Sequence, residues 1–324
     1  MEFTQFITEA VEALAQPKRI ILIDGDDKRT QDAARELVKK TKNIVPVLLF
    51  ENDQFPTDLP ERVECVNVFA DQTQLERFTQ QFFELRKGKE TLEKAQAFMQ
   101  HRINIGMMMY KNQLVDGVVG GLSYPTSDIL RGGFKVFGLK PNKKTFSSVM
   151  LMHRGNERLI FADVAVNLNP TKDQLVDITQ NAIEFNQAIK YMPDSKVAML
   201  SFSTKGSAET ERTLEIAAAA QTVASLNVAD ASVKVAGEIQ FDAGVDEVIR
   251  KSKYKELVYD GSANIFIFPN LDAGNISYKV AQRLGNWGAV GPVIVGINGA
   301  VNDLSRGSTV EDVVYTAMVT ALQS

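Results

Sequence analysis

The sequence predicts an α/β protein in two domains with mainly parallel, doubly wound sheets. Short runs rich in β-branched residues alternate with longer amphipathic segments, a pattern typical of this fold class. The length of 324 residues favours two domains, because a single domain usually holds about 100–200 residues. The composition, with 44% hydrophobic and 23% charged residues, is that of an ordinary folded chain.

The first part of the chain predicts a β-α-β series. Apolar residues at helical spacing predict a helix over 3–15, and the run RIILID predicts a buried strand over 19–24 that ends at a Gly-Asp-Asp turn. A helix over 30–41, strands over 44–50 and 63–69, helices over 72–86 and 89–109 and a strand over 114–119 follow. That last strand runs into Gly120 and Gly121, and the segment after them leads into a helix that contains Arg131.

A second series begins near Thr145. Strands over 147–152 and 158–164 are predicted to pair through a turn at 154–156. The alternation continues with a helix over 171–190, a strand over 196–202, helices over 207–226, 242–252 and 274–285, strands over 233–237, 264–269 and 292–297, and a C-terminal helix from about Val310. Pro141, Asn142 and two lysines interrupt the apolar pattern, so the domain junction is expected near 140–145.

Charge and composition exclude several classes of function. The formal net charge of -4 gives no general attraction for nucleic acid or anionic membranes, so neither is an expected partner. The chain has one cysteine, Cys65, so it cannot form an internal disulfide. Its two histidines supply few of the ligands that a zinc site needs. The acidic N-terminus does not resemble a signal peptide, and no apolar stretch is long enough to span a membrane. We therefore expect a cytoplasmic protein.

The segment 301–312 (VNDLSRGSTVED) is the richest in candidate chemistry. It lies between the last predicted strand and the last helix, where parallel α/β proteins bind ligands. A serine, an arginine and free amides beside a helix N-terminus suit a phosphate group. The same residues also have a purely structural interpretation, because Ser308 with Glu311, or Thr309 with Asp312, would form a capping box in any helix.

Three other strand ends carry polar residues. In 116–131 (DGVVGGLSYPTSDILR) the glycines allow close backbone approach and the hydroxyls could donate to phosphoryl oxygens, although Thr126 or Ser127 could equally be an N-cap. The segments 200–208 (LSFSTKGSA) and 271–279 (LDAGNISYK) follow two later strands and could be ligand loops or solvated turns. All four strand ends could converge on one cleft.

Together these segments resemble the phosphate acetyltransferase (phosphotransacetylase) family, in its short form without an N-terminal extension. The resemblance rests on 116–131, 161–163 with 167–171, 200–208, 237–242, 268–283 and 292–312, and SFSTKGSA, LDAGNISYK and VNDLSRG in this order are its most specific motifs. It implies reversible acetyl transfer between CoA and phosphate by a homodimer, with no cofactor or metal. It also implies an architecture similar to isocitrate and isopropylmalate dehydrogenases, with 1–142 plus 296–324 as one domain, 143–295 as the other, and the active site between them.

The family's functional positions fall on nine residues of this chain. The resemblance implies a catalytic aspartate at Asp312 and a serine-arginine pair at Ser305 and Arg306. The substrate-binding residues that it implies are Arg131, Arg86, Ser123, Thr126, Ser127 and Lys279. The chain departs from the family at Val164, where many members carry a cysteine, so a covalent acetyl-cysteine there is impossible. Cys65 lies in an apolar strand and is expected to pack there.

Three alternatives remain open from the sequence. A phosphate butyryltransferase would use the same chemistry on a longer acyl chain, and pocket volume cannot be read from the sequence. A dehydrogenase of the similar fold would need a carboxylate cluster for a divalent metal and a nucleotide loop, neither of which can be assembled here. A catalytically silent CoA-binding subunit would keep the fold, but Ser305, Arg306, Asp312 and Arg131 together argue against it.

Overall fold

Two α/β units make up the chain in the computed structural model, which describes residues 1–254 and 258–324. One unit comprises 4–138 with 297–324 and is called the terminal unit below; the other comprises 1–3 with 139–296 and is called the central unit. The chain therefore crosses between units at 138/139 and 296/297, whereas the sequence suggested 142/143 and 295/296. At this crossing the Lys140 amide donates to the Gly296 carbonyl at 2.9 Å, which keeps both residues in the central unit.

Helices are interspersed with strands along the described residues. From the N-terminus they are α1 (Phe3–Glu12), β1 (Lys18–Leu22), α2 (Lys28–Lys40), β2 (Ile44–Phe50), β3 (Glu64–Asn67), α3 (Gln72–Leu85), α4 (Leu92–Phe98), α5 (Arg102–Lys111), β4 (Gly117–Gly120) and α6 (Thr126–Phe137). They continue with β5 (Ser147–Arg154), β6 (Glu157–Ala162), α7 (Lys172–Ile189), β7 (Ser195–Leu200), α8 (Glu211–Leu226), β8 (Val233–Ile239), α9 (Phe241–Val245), α10 (Glu247–Lys253), β9 (Ile265–Ile267), α11 (Leu271–Leu284), β10 (Gly288–Val295), β11 (Val301–Asp303) and α12 (Val310–Gln323).

The terminal unit contains a five-stranded sheet in the order β11-β4-β1-β2-β3, in which every neighbouring pair is parallel. The buried parts of its central strands are apolar on both faces, as expected where helices cover both sides of a parallel sheet. Ile20, Ile21 and Leu22 of β1 are all buried, and so are Ala33 and Leu37 on the inner face of α2. This core holds the strand ends in place.

The central unit contains a six-stranded mixed sheet in the order β10-β5-β6-β9-β7-β8. The two pairs that involve β5 are antiparallel, as expected for the 147–164 hairpin, and the other three pairs are parallel. Phe161, Phe266 and Phe268 meet edge to face in its core, with ring centroids 5.2–5.6 Å apart for Phe161 with each of the other two. The prediction of an α/β fold with mainly parallel sheets is confirmed.

Several predicted boundaries were wrong. The helix expected over 89–109 is two helices, because His101 is extended and the Arg102 side chain turns inward, donating to Asp26 at 2.5 Å and to the Leu49 carbonyl at 3.0 Å. Helix α6 has Pro125 as its N-cap, so neither Thr126 nor Ser127 fills that position. The segment 301–303, expected to be loop, forms strand β11 because it pairs with β4.

Candidate functional site

Three neighbouring parallel strands of the terminal unit end at one edge of its sheet. β4 lies between β1 and β11, with Leu22 of β1 opposite Val119 and Asp303 of β11 opposite Gly120. Because parallel strands point the same way, the glycine-ended segment after β4 and the serine-arginine turn after β11 leave the sheet side by side. The Leu304 amide donates to the Gly120 carbonyl at 2.8 Å, which extends the pairing to the start of that turn.

Asp24, just beyond β1, holds the segment after β4, called the glycine loop (120–125) below. Its carboxylate accepts hydrogen bonds from the amides of Gly121 at 2.9 Å, Leu122 at 3.2 Å and Ser123 at 2.9 Å. Asp24 is buried, whereas the Ser123 side chain is exposed. The backbone that carries the Ser123 side chain is therefore held in place by the buried Asp24 carboxylate.

Asp303 holds Thr126, the first residue of α6, just beyond the glycine loop. The Thr126 hydroxyl donates to Asp303 Oδ2 at 2.6 Å, so the Thr126 proton is directed at Asp303. Asp303 is 1% exposed, and burial, with the nearby Asp24 charge adding to it, raises the pKa of this carboxyl to about 7 against the lowering effect of the Thr126 bond. Ser127, the next residue of α6, is exposed.

Arg29 of α2 braces the serine-arginine turn (304–309). Its Nη1 donates to the carbonyl oxygens of Arg306 and Ser308, both at 2.9 Å. Asp27 in turn pairs with Arg29 at 2.7 Å, and this hydrogen-bonded ion pair lowers the pKa of Asp27. The turn is closed by the Ser308 amide, which donates to the Ser305 carbonyl at 2.9 Å. The Ser305 and Arg306 side chains are exposed on a backbone that is tied to α2.

Asp312 lies in the first turn of α12 and forms the predicted capping box with Thr309. Its Oδ2 accepts from the Thr309 amide at 2.7 Å and from the Thr309 hydroxyl at 2.9 Å, and the Asp312 amide donates back to the hydroxyl at 3.2 Å. The structural interpretation of this pair is therefore confirmed. A capping carboxylate can still act as a base, because both bonds fall on one of its two oxygens.

Arg131 lines a cavity of about 630 Å³ in the terminal unit. Its guanidinium is mostly exposed and lies 3.4 Å from Asp128, one turn earlier on α6. Lys135, which also lines the cavity, donates to Glu90 at 2.8 Å. This bond is the main cause of a lowered pKa at Glu90, and the Arg86 charge contributes to the same shift. The remaining lining residues are Lys94, Ala97, Phe98, His101, Ile103, Asn104, Tyr124 and Gly132.

Arg86 lies beyond the last residue of α3, as its C-cap, and its Nε is buried with no hydrogen-bond partner among the described residues. Lys279 belongs to the central unit, on α11, where its ammonium donates to Asn275 at 2.7 Å. Eight of the nine candidate residues therefore belong to the terminal unit, and Lys279 belongs to the other.

The four polar strand ends form two pairs, one in each unit. The segments after β4 and β11 share an edge of the terminal sheet, and those after β7 and β9, which are neighbouring parallel strands, share an edge of the central sheet. Val164 is fully buried in the central core. Cys65 is half-buried in β3, and burial raises the pKa of its thiol, which agrees with a packing role.

Sequence reasoning missed Arg29, Asp24 and Asp303 as parts of this edge. The Gly-Asp-Asp turn after β1 was read as turn chemistry, although it is a further strand end that carries charged residues. It also missed the buried Arg102, whose Nε and Nη2 donate to the Tyr124 hydroxyl at 3.2 and 3.0 Å. The signal for Asp24 and Asp303 was their position at the ends of strands that turned out to be adjacent, whereas Arg29 lies in the first turn of α2.

Two negative findings apply to residues 1–254 and 258–324. None of their helices combines the length and apolar character needed to cross a membrane. The same residues contain no group of three or more His, Cys, Asp or Glu side chains that could hold a metal ion.

Fold and site together define a class: an α/β protein that presents hydroxyls, arginines and helix N-termini at the carboxyl ends of parallel strands, the arrangement by which such folds bind phosphate groups. The family model described as phosphate acetyl/butaryl transferase matches residues 2–321. A phosphate acetyltransferase of Mycoplasma capricolum subsp. capricolum is 37% identical over 308 residues, covering 94% of both chains.

Solved structures agree in fold. The EutD phosphotransacetylase from Staphylococcus aureus superposes with a TM-score of 0.88 at 33% identity, over 98% of both chains. A phosphotransacetylase from Streptococcus pyogenes gives a TM-score of 0.86 at 35% identity, over 100% of this chain and 99% of that one. The chain belongs to the phosphate acetyl/butaryl transferase family. This assignment favours acyl transfer over the dehydrogenase alternative.

Proposed function

We propose that this chain is a phosphate acetyltransferase that catalyses the reversible reaction of acetyl-CoA with phosphate to give CoA and acetyl phosphate. Membership of the family and the names of its relatives support the reaction. The observation that carries the proposal is the pairing of β11 with β4, because it puts the serine-arginine turn next to the glycine loop. A turnover site needs both segments within reach of one acyl phosphate.

In the proposed mechanism the CoA thiol attacks the acetyl carbonyl directly, in a ternary complex. An alkyl thiol has a pKa of about 8.5 and is mostly protonated at neutral pH. Asp312 is the proposed base, and its Oδ1 is the oxygen that would take the proton, since Oδ2 accepts both Thr309 bonds. Ser305 would hold the sulfur. General base catalysis of this kind typically contributes about 10²–10⁴ in rate.

Charge develops on the carbonyl oxygen and on the departing phosphate as the thiolate attacks. Arg306, Arg131 and Arg86 are the proposed counter-charges, and Ser123 and Ser127 the proposed further contacts to phosphate. Thr126 is proposed to hold this segment in place, because its proton goes to Asp303. Lys279 stays a predicted anion contact of the central unit. Removal of one such donor typically costs about 3–4 kcal/mol of transition-state stabilisation. Phosphate is a good leaving group, so the proposed reaction uses side chains and backbone amides and takes no cofactor.

The test is release of free thiol from acetyl-CoA on addition of phosphate, with CoA and acetyl phosphate for the reverse direction. We expect saturable turnover in both directions, and no thiol release under either condition would favour a silent CoA-binding subunit. Because the family model includes butyryl transfer, the same assay with acetyl, propionyl and butyryl phosphate measures the acyl range. We expect the highest kcat/KM with the acetyl compound.

We further propose a homodimer in the cytoplasm. Ile276, Val280 and Leu284 lie four residues apart on α11 and are 59%, 49% and 84% exposed, an apolar stripe that a partner surface would cover. Gel filtration is expected to give the mass of two chains, and Val280→Glu with Leu284→Glu is expected to give one. Leu92→Glu, at an exposed apolar residue of the terminal unit, is the matched control.

A further inference from the structure

The glycine loop is clamped between two buried carboxylates that come from the strands on either side of β4. Asp24, beyond β1, accepts hydrogen bonds from three amides at the start of the loop. Asp303, at the end of β11, accepts a hydrogen bond from the hydroxyl of Thr126, the residue that follows the loop. The proposed function uses Ser123 of this loop together with Ser127 and Arg131 of α6, the helix that follows it. It assigns no role to either carboxylate.

Asp303 has an unused oxygen. Its Oδ1 is buried without a hydrogen-bond partner among the described residues, although the residue is 1% exposed. That oxygen lies against Gly121, where a Cβ would collide with it and with the Leu304 backbone. An ionised carboxylate with a bare buried oxygen is costly, whereas a proton on Oδ1 removes the charge and leaves Oδ2 free to accept from Thr126.

We propose that Asp303 is a positioning residue of the proposed acetyltransferase: in its neutral form it fixes the glycine loop and the first turn of α6 through Thr126, without placing a second negative charge beside the anion-binding hydroxyls. The expected effect of Asp303 on kcat/KM rests on the proposed function. The structural content of the inference, the link from Asp303 through Thr126 to the loop, stands on the geometry.

Charge is what distinguishes the two forms of Asp303. The groups of the described residues that face it are Asp24 from the β1 side, Thr126 from α6, Gly121 from the loop and the Leu304 backbone, and among these Asp24 is the charged one. Ionised Asp303 therefore adds to the negative potential of Asp24 and opposes the approach of a phosphate group. Because the pKa of Asp303 is raised to about 7, the fraction of Asp303 that is protonated falls as the pH rises from about 6 to about 8.

The first experiment measures kcat/KM for acetyl phosphate in wild type and Asp303→Asn from about pH 6 to about pH 8. Asparagine keeps an acceptor for Thr126 and cannot ionise. Over that range the protonated fraction of a group with a pKa of about 7 falls about tenfold. If the protonated form carries the activity, the kcat/KM of the variant divided by that of wild type should rise about tenfold. A ratio that stays constant with pH overturns the proposal.

A charge control comes from Asp58, an exposed carboxylate of the same unit that pairs with Arg35 at 2.6 Å. Asp58→Asn removes one negative charge at an exposed residue that has no proposed part in the reaction, so the ratio of its kcat/KM to that of wild type should not vary with pH. A rise in the Asp58→Asn ratio equal to that of Asp303→Asn would assign the effect to net charge and overturn the proposal.

The second experiment tests the link through Thr126. Asp303→Ala and Thr126→Val should each lower kcat/KM about tenfold or more, and the double variant should be no worse than the poorer single one, because both break one interaction. Thr126→Ser keeps the hydroxyl and should restore most of the activity lost in Thr126→Val. Additive losses, or a serine variant as poor as valine, overturn the link. If Asp303→Ala does not fold, the comparison of Thr126→Val with Thr126→Ser tests the link.

A third measurement separates this inference from the proposed function. Sulfate keeps its charge between about pH 6 and about pH 8, so its thermal stabilisation of the protein reports anion binding without turnover. We expect sulfate stabilisation to weaken with rising pH in wild type and to stay constant in Asp303→Asn. A protein that shows this but releases no thiol contradicts the proposed function alone. Equal pH dependence in both proteins contradicts the inference.

Discussion

The carboxylate of Asp312 is held by Thr309 of its own helix cap, with Oδ2 2.7 Å from the Thr309 amide nitrogen and 2.9 Å from the Thr309 hydroxyl. The bonds fix the carboxylate at the N-terminus of α12, where the free amides of the first turn favour a negative charge. One residue thus starts a helix and is also the proposed base.

Asp312→Asn should separate these two roles. The amide oxygen can still accept from Thr309, so the free energy of unfolding should change little, while kcat should fall about 10²–10⁴-fold because the base is lost. Steady-state kinetics with acetyl phosphate and CoA check this. Thr309→Ala is the matched control, since it removes a capping bond worth about 1 kcal/mol and leaves the carboxylate in place. Near-normal turnover in Asp312→Asn would remove Asp312 as the base.

Arg29→Ala should lower kcat although Arg29 has no predicted role in the chemistry. Its guanidinium donates to the carbonyl oxygens of Arg306 and Ser308, and hydrogen bonds to charged groups are worth about 1.5–3 kcal/mol. We expect kcat to fall about 10-fold to 100-fold as the serine-arginine turn loses its brace. Arg35→Ala, on the same helix but paired with Asp32 and Asp58, should have no such effect. Equal kinetics in the two variants would show that the turn needs no brace from α2.

Arg131→Ala should weaken the use of acetyl phosphate. The guanidinium is exposed at the wall of the cavity in the terminal unit, so it can be removed without loss of core packing. We expect kcat/KM for acetyl phosphate to fall by an amount equivalent to about 3 kcal/mol. Arg77→Ala, an exposed arginine on α3, is the comparison. Unchanged kinetics in Arg131→Ala would place the phosphate site elsewhere.

Gly121→Ala should be far more damaging than Gly138→Ala. Both glycines have positive φ, 122° and 68°, and a sparsely populated backbone conformation of this kind costs an alanine about 1–3 kcal/mol. At Gly138 a Cβ meets nothing within 4 Å, whereas at Gly121 it collides with Asp303 and the Leu304 backbone. We expect Gly121→Ala to lose about 1–3 kcal/mol more than Gly138→Ala in urea denaturation. Equal losses would show that the loop has room to shift.

Asp303→Asn should change the pH dependence of stability. Because the folded-state pKa rises from 3.8 to about 7, the folded chain binds more protons than the unfolded chain between these values, so wild-type stability falls as pH rises through this window. The full shift corresponds to about 4 kcal/mol. Urea denaturation at about pH 4 and about pH 7.5 should show this loss in wild type and a smaller one in Asp303→Asn. The same decline in both proteins would mean that Asp303 ionises without cost.

The sequence by itself determined the fold class and most helices and strands, because periodicity and β-branched runs act over neighbouring residues. It also gave the Thr309 and Asp312 capping box, whose two members are one helical turn apart. Resemblance then supplied the family and the nine candidate residues. These inferences depend on local spacing or on motifs that can be read directly from the chain.

Only the tertiary structure decided what lies beside these residues. The three-residue strand β11 is too short and polar to be read from its own sequence and exists because β4 pairs with it. Arg29 meets Arg306 across 277 positions and Thr126 meets Asp303 across 177. Such contacts depend on strand order, which no local pattern encodes. Burial then gives Asp303 a pKa that its sequence neighbours would not suggest, because the low polarity around a carboxylate arises from the folded chain as a whole.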